Sequence, residues 1–270
     1  MLRTILALLW FRDTVRSETQ VLAVALAAAG AVVAIAPVPA ADTAEPLQRH
    51  TLFVGVDTSG SFRHAGYDDA MTFLAYYLYG HVNELGGLAK PRDLFVAALG
   101  GKDSNEPKAF RPIHDLAGKN IPQIEADLRR WFPPTDPLTD FSAFFRQVAR
   151  ITKERNPVLT PITVVVVSDG IPDVPGVKAG APDSFKTIDL GALEFLSRNV
   201  TVRLIYASPK VGELWRTRIP RQRVRLWAVE REVMMGWRAQ MKPKADPASQ
   251  DRLWKWVRDT VDYRVHARAL

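Results

Sequence analysis

The chain has 270 residues, 47% of them apolar, enough for one sizeable globular core beside an N-terminal targeting stretch. It has no cysteine, which excludes disulfide frameworks, thiolate metal sites and cysteine nucleophiles. The net charge of +7 is uneven: Lys and Arg exceed Asp and Glu by one in residues 1–40, fall short by three in 41–200 and exceed them by nine in 201–270. A basic excess confined to one end points to a local face for an acidic protein or membrane headgroups, and nucleic acid is not expected as a partner.

Residues 21–36 (VLAVALAAAGAVVAIA) are an uncharged run, preceded by Arg3, Arg12 and Arg16 and followed by Pro37, Pro39, Ala40 and Ala41. This is the plan of an export signal. The run is long for a signal-peptide core and short for a span of about 20 residues, so cleavage after Ala40 and retention as a membrane anchor both stay open. In either case the arginines favour a cytoplasmic N-terminus, which places everything after Thr43 on the periplasmic or extracellular side. The expected organisation is a signal peptide or anchor over residues 1–43 and a folded domain over 48–270.

Residues 51–56 (TLFVGV) and 162–167 (ITVVVV) are nearly unbroken apolar runs, the pattern of strands buried on both faces. Further strands are expected at 94–99, 200–207 and 224–229, with an edge strand at 107–112, where proline is tolerated. Ala70, Phe73, Leu74, Tyr77 and Leu78 recur at helical spacing, as do Phe141, Phe144, Phe145 and Val148. Tyr76, Tyr77 and Tyr79 are assigned to core and rim. More helices are expected at 187–198, 230–241 and 247–262. The alternation implies an α/β fold with a doubly wound, mostly parallel sheet flanked by helices.

The first buried run leads directly into Asp57-Thr58-Ser59-Gly60-Ser61, and the second ends in Ser168-Asp169-Gly170. Parallel strands deliver both carboxylates to one edge of the sheet, where open α/β sheets bind ligands. Gly60 is expected to let its loop turn tightly. Thr139 lies just before a helix starting around Asp140 and can point its hydroxyl into the same crevice. Asp57, Ser59, Ser61, Thr139 and Asp169 together suit a hard cation such as Mg²⁺ (or Mn²⁺ or Ca²⁺), which takes about six oxygens. Only two of the five carry charge, so a carboxylate from outside would be attracted to a vacant position.

Asp57-Thr58-Ser59-Gly60-Ser61 resembles the D-x-S-x-S signature of the von Willebrand factor type A (vWA) and integrin inserted-domain family. Thr139 in TDFSAFF and Asp169 in VVVVSDG resemble the family's later threonine and aspartate, in the same order. The resemblance spans about residues 50–207 and departs from the family pattern in the proline-punctuated stretch 101–137. It implies a Rossmann-like vWA domain with a metal-ion-dependent adhesion site, in which Ser59, Ser61 and Thr139 bind the metal directly. Asp57 and Asp169 would act partly through water, and Thr58 and Gly60 would be spacers. The function it implies is adhesion or assembly, with a partner protein supplying an acidic residue to the metal.

The alternative is a metal-assisted hydrolase using the Asp57 crevice, but no catalytic constellation stands at recognisable spacing. A phosphate-accepting aspartate would need a second carboxylate two residues on, where the chain has Ser59. The five histidines are scattered, and neither a nucleophile elbow nor a phosphate-cradling glycine loop occurs. His64 is assigned to the surface. Arg216, Arg218, Arg221, Arg223 and Arg225 are the expected partner-binding face.

Overall fold

The computed structural model describes residues 50–263 apart from 104, 156–159 and 197–198. The apolar run at 21–36 lies outside the described residues. The strands are β1 (Thr51–Val56), β2 (Asp93–Ala98), β3 (Gly100–Gly101), β4 (Arg111–Pro112), β5 (Leu138–Thr139), β6 (Ile162–Val167), β7 (Val200–Ala207) and β8 (Arg225–Glu230). Six of them form one sheet in the order β4-β2-β1-β6-β7-β8, parallel except for the antiparallel edge strand β4. The helices are α1 (Gly60–Ala65), α2 (Tyr67–Val82), α3 (Ile121–Trp131), α4 (Phe141–Arg155), α5 (Gly191–Glu194), α6 (Pro209–Arg218), α7 (Arg231–Met235) and α8 (Asp251–Trp256).

Successive strand residues point to opposite faces, and here both faces are covered. Leu52, Val54 and Val56 pack with Phe73, Leu74, Leu128 and Trp254 of α2, α3 and α8. Phe53, Val164 and Val166 pack on the other side with Phe144, Phe145 and Trp215 of α4 and α6. Double coverage explains why β1 and β6 are nearly continuous apolar runs, since every position but the half-buried Thr163 is buried. β7 ends in a bulge at Tyr206, held at φ 79° in the left-handed region that bulky residues rarely adopt. Its hydroxyl donates to Asp69 of α2 at 2.8 Å, and Asp69 also accepts from Trp237 at 3.0 Å and Arg238 at 2.8 Å. That carboxylate joins β7, α2 and the chain after α7.

A second buried polar cluster lies beneath the other end of the sheet. His81 meets two acceptors, the Ala89 carbonyl at Nδ1 and Asp262 at Nε2, each at 2.9 Å. An imidazole can satisfy two acceptors only when both nitrogens carry protons. Burial on its own would lower the His81 pKa, but the Asp262 charge and the two hydrogen bonds outweigh it and hold the pKa above its ordinary value. Burial likewise opposes the charge on Asp262, yet His81, Arg203 and Tyr77 together hold its carboxyl below its ordinary range. Arg203 donates to the Val261 and Tyr263 carbonyls at 2.8 Å each, so the pair and the arginine fasten the end of the described chain to β7.

Several sequence-based boundaries shift for identifiable reasons. The edge strand expected over 107–112 shrinks to Arg111–Pro112, and ahead of it the Lys108 N–H and the Glu106 carbonyl are taken by the Gln147 side chain instead of a neighbouring strand. The helix expected over 187–198 is confined to Gly191–Glu194 after a 3₁₀ segment at Pro182–Thr187. There the Asp189 side chain accepts from Gly191 N–H at 2.7 Å and competes with helix bonding. The helices expected over 230–241 and 247–262 each break into short α and tighter or wider turns. Three helices were not anticipated: α1, capped by Ser59, α3, opened by a capping box of Asn120 with Gln123, and α6, capped by Ser208.

Candidate metal centre

β1 and β6 are adjacent and parallel, with Val56 opposite Val167, so the residues that follow them leave the sheet side by side. Asp57 is fully buried there. Its Oδ1 accepts from Ser59 N–H at 2.9 Å and from the Thr139 hydroxyl at 3.5 Å, and its Oδ2 accepts from the Ser168 hydroxyl. The Ser59 and Ser61 hydroxyls stand 3.1 Å apart, and Ser61 in turn reaches the Asp169 carboxylate. All five sequence-predicted donors therefore join one continuous polar cluster at the carboxyl edge of the sheet. Ser59 also caps α1, though the contact from Phe62 N–H is 3.5 Å, at the limit of a hydrogen bond.

The electrostatics of this cluster are one-sided. Burial, and then the charge of Asp169, push the Asp57 pKa up to about 6. Burial also raises the Asp169 pKa, against the Ile171 N–H and Ser61 hydrogen bonds that hold it down. No basic side chain contributes to either shift. Two buried carboxylates repelling each other across a shell of hydroxyls are the donor set a hard divalent cation fits. Among the described residues no group of three or more His, Asp or Glu is placed to hold a metal, so the hydroxyls are needed to complete any coordination here.

Three expectations change in detail. Thr139 is not at a helix N-terminus: it sits in β5, paired to Gly100 on one side and to Asp173 by backbone bonds of 3.0 and 3.2 Å on the other. Asp140 fills the capping place, accepting from Ala143 N–H at 2.8 Å. Thr58 is more than a spacer, because its buried hydroxyl donates to Asp136 at 2.6 Å while the Asp136 N–H donates to the Thr58 carbonyl at 3.0 Å. Gly60 serves no tight turn. It is the first residue of α1, and a Cβ there would meet nothing.

The glycine that matters is Gly170, with φ +79°, where a Cβ would stand 2.8 Å from Leu204. It lets the chain after Asp169 fold back over β7, with its carbonyl taken by the Trp215 indole at 2.7 Å. Ser168 and Asp136 are the groups that reading the motif alone missed. Ser168 bridges the loops, donating to Asp57 and accepting from Gly170 N–H at 2.8 Å. Its place beside Asp169 at a strand end was the available signal. Beside Thr139 a cavity of about 230 Å³ opens, lined by Asp140, Ser142, Pro172 and Ile188 among others.

The five arginines do not join this cluster. β8 runs parallel to β7 with Arg225 opposite Thr201, so Arg225 and the loop before it lie at the amino edge of the sheet. Arg216 pairs with Glu213, and Arg221 donates to the carbonyls of Arg216 and Ile219, tying the end of α6 to that loop. His64 is exposed on α1, as expected.

A parallel sheet ordered β2-β1-β6-β7-β8, with D-x-S-x-S leaving β1 beside Ser-Asp-Gly leaving β6, is the doubly wound arrangement that the sequence resemblance implies. The fold is von Willebrand factor type A-like. Solved structures of similar fold include the SpRpn10 VWA domain (9% identity, 78% of this chain and 95% of that one, TM-score 0.42). They also include the manganese-loaded TRAP protein of Plasmodium vivax (17% identity, 68% and 70%, TM-score 0.42). A third is proximal thread matrix protein 1 of the mussel byssus (11% identity, 78% and 47%, TM-score 0.42), of which this chain spans about half. No family model and no curated protein matches the sequence. Among the described residues no helix is long and apolar enough to cross a membrane.

Proposed function

We propose that the protein is a metal-dependent binding module of the vWA type, exported across the cytoplasmic membrane, that engages a carboxylate of a partner protein. Residues 1–43 serve as signal peptide or anchor, and the binding domain occupies 48–270. Ser59, Ser61 and Thr139 would hold the cation directly, with Asp57 and Asp169 behind them. Mg²⁺ is the expected ion, with Mn²⁺ or Ca²⁺ as substitutes. When bound, it supplies a positive centre that two carboxylates and neutral hydroxyls leave open to a further anionic oxygen.

One observation carries this reading: Asp57 and Asp169 are buried together with raised pKa values and no cationic side chain acting on either. A buried carboxylate pair without a counter-charge is costly unless an ion supplies one. The residues around it orient the site. Ser168 and the Ser59 N–H hold the Asp57 carboxylate, and β5 holds Thr139 in reach of it.

The test is to cross-link and isolate a partner from the source membranes, then measure its affinity with Mg²⁺, with chelator, and for Asp57→Ala, Asp169→Ala and Thr139→Ala. Binding should require the cation and be abolished by either aspartate change. Equal affinity in all conditions, with the fold retained by circular dichroism, would eliminate a metal bridge.

A further inference from the structure

The chain enters the domain at the edge of the sheet opposite the crevice. Thr51 begins β1 level with Asp93, Ile162 and, through β6 and β7, with Val200. Arg225 begins β8 one residue further along. The amino edge therefore carries the attachment point of residues 1–50 together with the loops that precede each strand. Lys90 and Arg92, both exposed, lie before β2, and exposed Arg223 with half-exposed Arg221 lies before β8. These two groups are separated by four strand spacings, about 19 Å.

At the β8 corner stands Phe195, the most exposed large apolar residue described, at 83%. Its neighbour Glu194 accepts from the backbone N–H groups of Gln222, Arg223 and Val224 at 2.7, 2.6 and 3.2 Å. A phenyl ring in water is thus locked beside the arginine loop. The acidic groups of this edge are largely engaged: Glu194 holds the loop, and Asp93 pairs with Arg92 and Arg155 at 3.7 Å each. Glu84 stays exposed.

We propose that this amino edge, with Phe195 inserted beside Arg221 and Arg223 and with Lys90 and Arg92 at its far side, rests on an anionic lipid surface and turns the crevice away from the bilayer. Continuity favours lipid over an acidic protein, because the apolar run 21–36 ends only 14 residues before β1 on this same edge. Tethering raises the local concentration of lipid enough for a weak face to act, and basic residues with one apolar anchor form the second signal that marginal anchors need. The strands then hold the crevice about 20 Å further out. The proposal rests on the exported, membrane-associated reading of the N-terminal segment.

Because the chain has no cysteine, single cysteines report unambiguously. Full-length Phe195→Cys and, as a crevice-side control, Lys178→Cys are labelled with a fluorophore. They are mixed with phosphatidylcholine vesicles, with or without about 30% phosphatidylglycerol, carrying a headgroup quencher. Quenching at position 195 should be roughly threefold stronger on anionic vesicles, fall when about 1 M salt shortens the Debye length to about 3 Å, and drop to the neutral-vesicle level in Arg221→Glu/Arg223→Glu. The probe at 178 should stay unquenched.

Equal quenching on both vesicle types, indifference to charge reversal, or shielding only by an acidic polypeptide overturns the proposal. Flotation separates this result from the reading it rests on. A chain that floats with neutral vesicles but shows no anionic preference at 195 keeps the tether and loses the face. One that floats only with anionic vesicles keeps the face and loses the tether, and one that floats with neither loses both.

Discussion

Two buried clusters of charge in this domain are built on opposite principles. At the amino end, the Asp262 carboxylate is compensated by His81 and Arg203, and Tyr77 donates to it at 2.9 Å. At the crevice, Asp57 and Asp169 have hydroxyls for company and no cationic side chain acting on either. A compensated carboxylate stabilises the fold and needs nothing from outside, whereas an uncompensated one raises the energy of the empty domain and gives an incoming cation something to relieve. On the proposed reading, the contrast separates a structural polar site from a binding site without reference to any motif.

Breaking the compensated cluster should have the largest effect. Asp262→Ala leaves the Arg203 guanidinium buried without its anion and takes from His81 its acceptor, and should destabilise the domain by about 3–5 kcal/mol in urea unfolding. The opposite sign is expected at the crevice. Asp57→Asn removes an unpaired buried charge and should stabilise the cation-free domain by about 1–3 kcal/mol at neutral pH, while abolishing cation binding. A loss of stability on that change would mean that the carboxylate is already compensated.

The His81 pair also sets a pH window. The folded pKa of His81 lies above its ordinary 6.5, so its contribution is complete below pH 6.5 and is lost as pH rises through the raised value. Asp262, held below its ordinary 3.8, contributes above that pH and loses its contribution as pH falls through the lowered value. The stability difference between the wild type and His81→Gln should therefore be greatest between about pH 4 and 6.5 and shrink in alkali. A difference independent of pH across that range would remove the ion pair from the account. The smallest stability effect belongs to Arg221→Glu/Arg223→Glu, about 1 kcal/mol, because the change removes the Arg221 hydrogen bonds to the Arg216 and Ile219 carbonyls but nothing in the core.

The parts of the fold legible in the sequence are those where one physical demand governs each residue. The bounds of β1 and β6 follow from burial on both faces, which leaves a nearly unbroken apolar run, and β7 shows the same pattern interrupted by Thr201 and the buried Arg203. The grouping of the five donors was legible too, because parallel strands must deliver their carboxyl ends to one edge. Thr139 was harder to place, since β5 has only two residues and owes its existence to Gly100 and Asp173, distant in sequence. α3 was hidden in a proline-rich stretch, although Pro122 stands in the first helical turn where it is tolerated. The separation of the arginines from the crevice was also out of reach, because charge counting carries no register. Only the pairing of β8 with β7 puts them at the other edge.

The central claim is that the crevice lacks a counter-charge that a divalent cation supplies. Thermal unfolding of the full chain with chelator and with increasing Mg²⁺ or Mn²⁺, for the wild type and for Asp57→Asn, tests it most directly. The wild type should gain stability with cation concentration, by about 2.7 kcal/mol at a hundred times the dissociation constant. Asp57→Asn should begin more stable and gain nothing. An identical response of the two proteins, or none from the wild type at millimolar cation, would contradict the account.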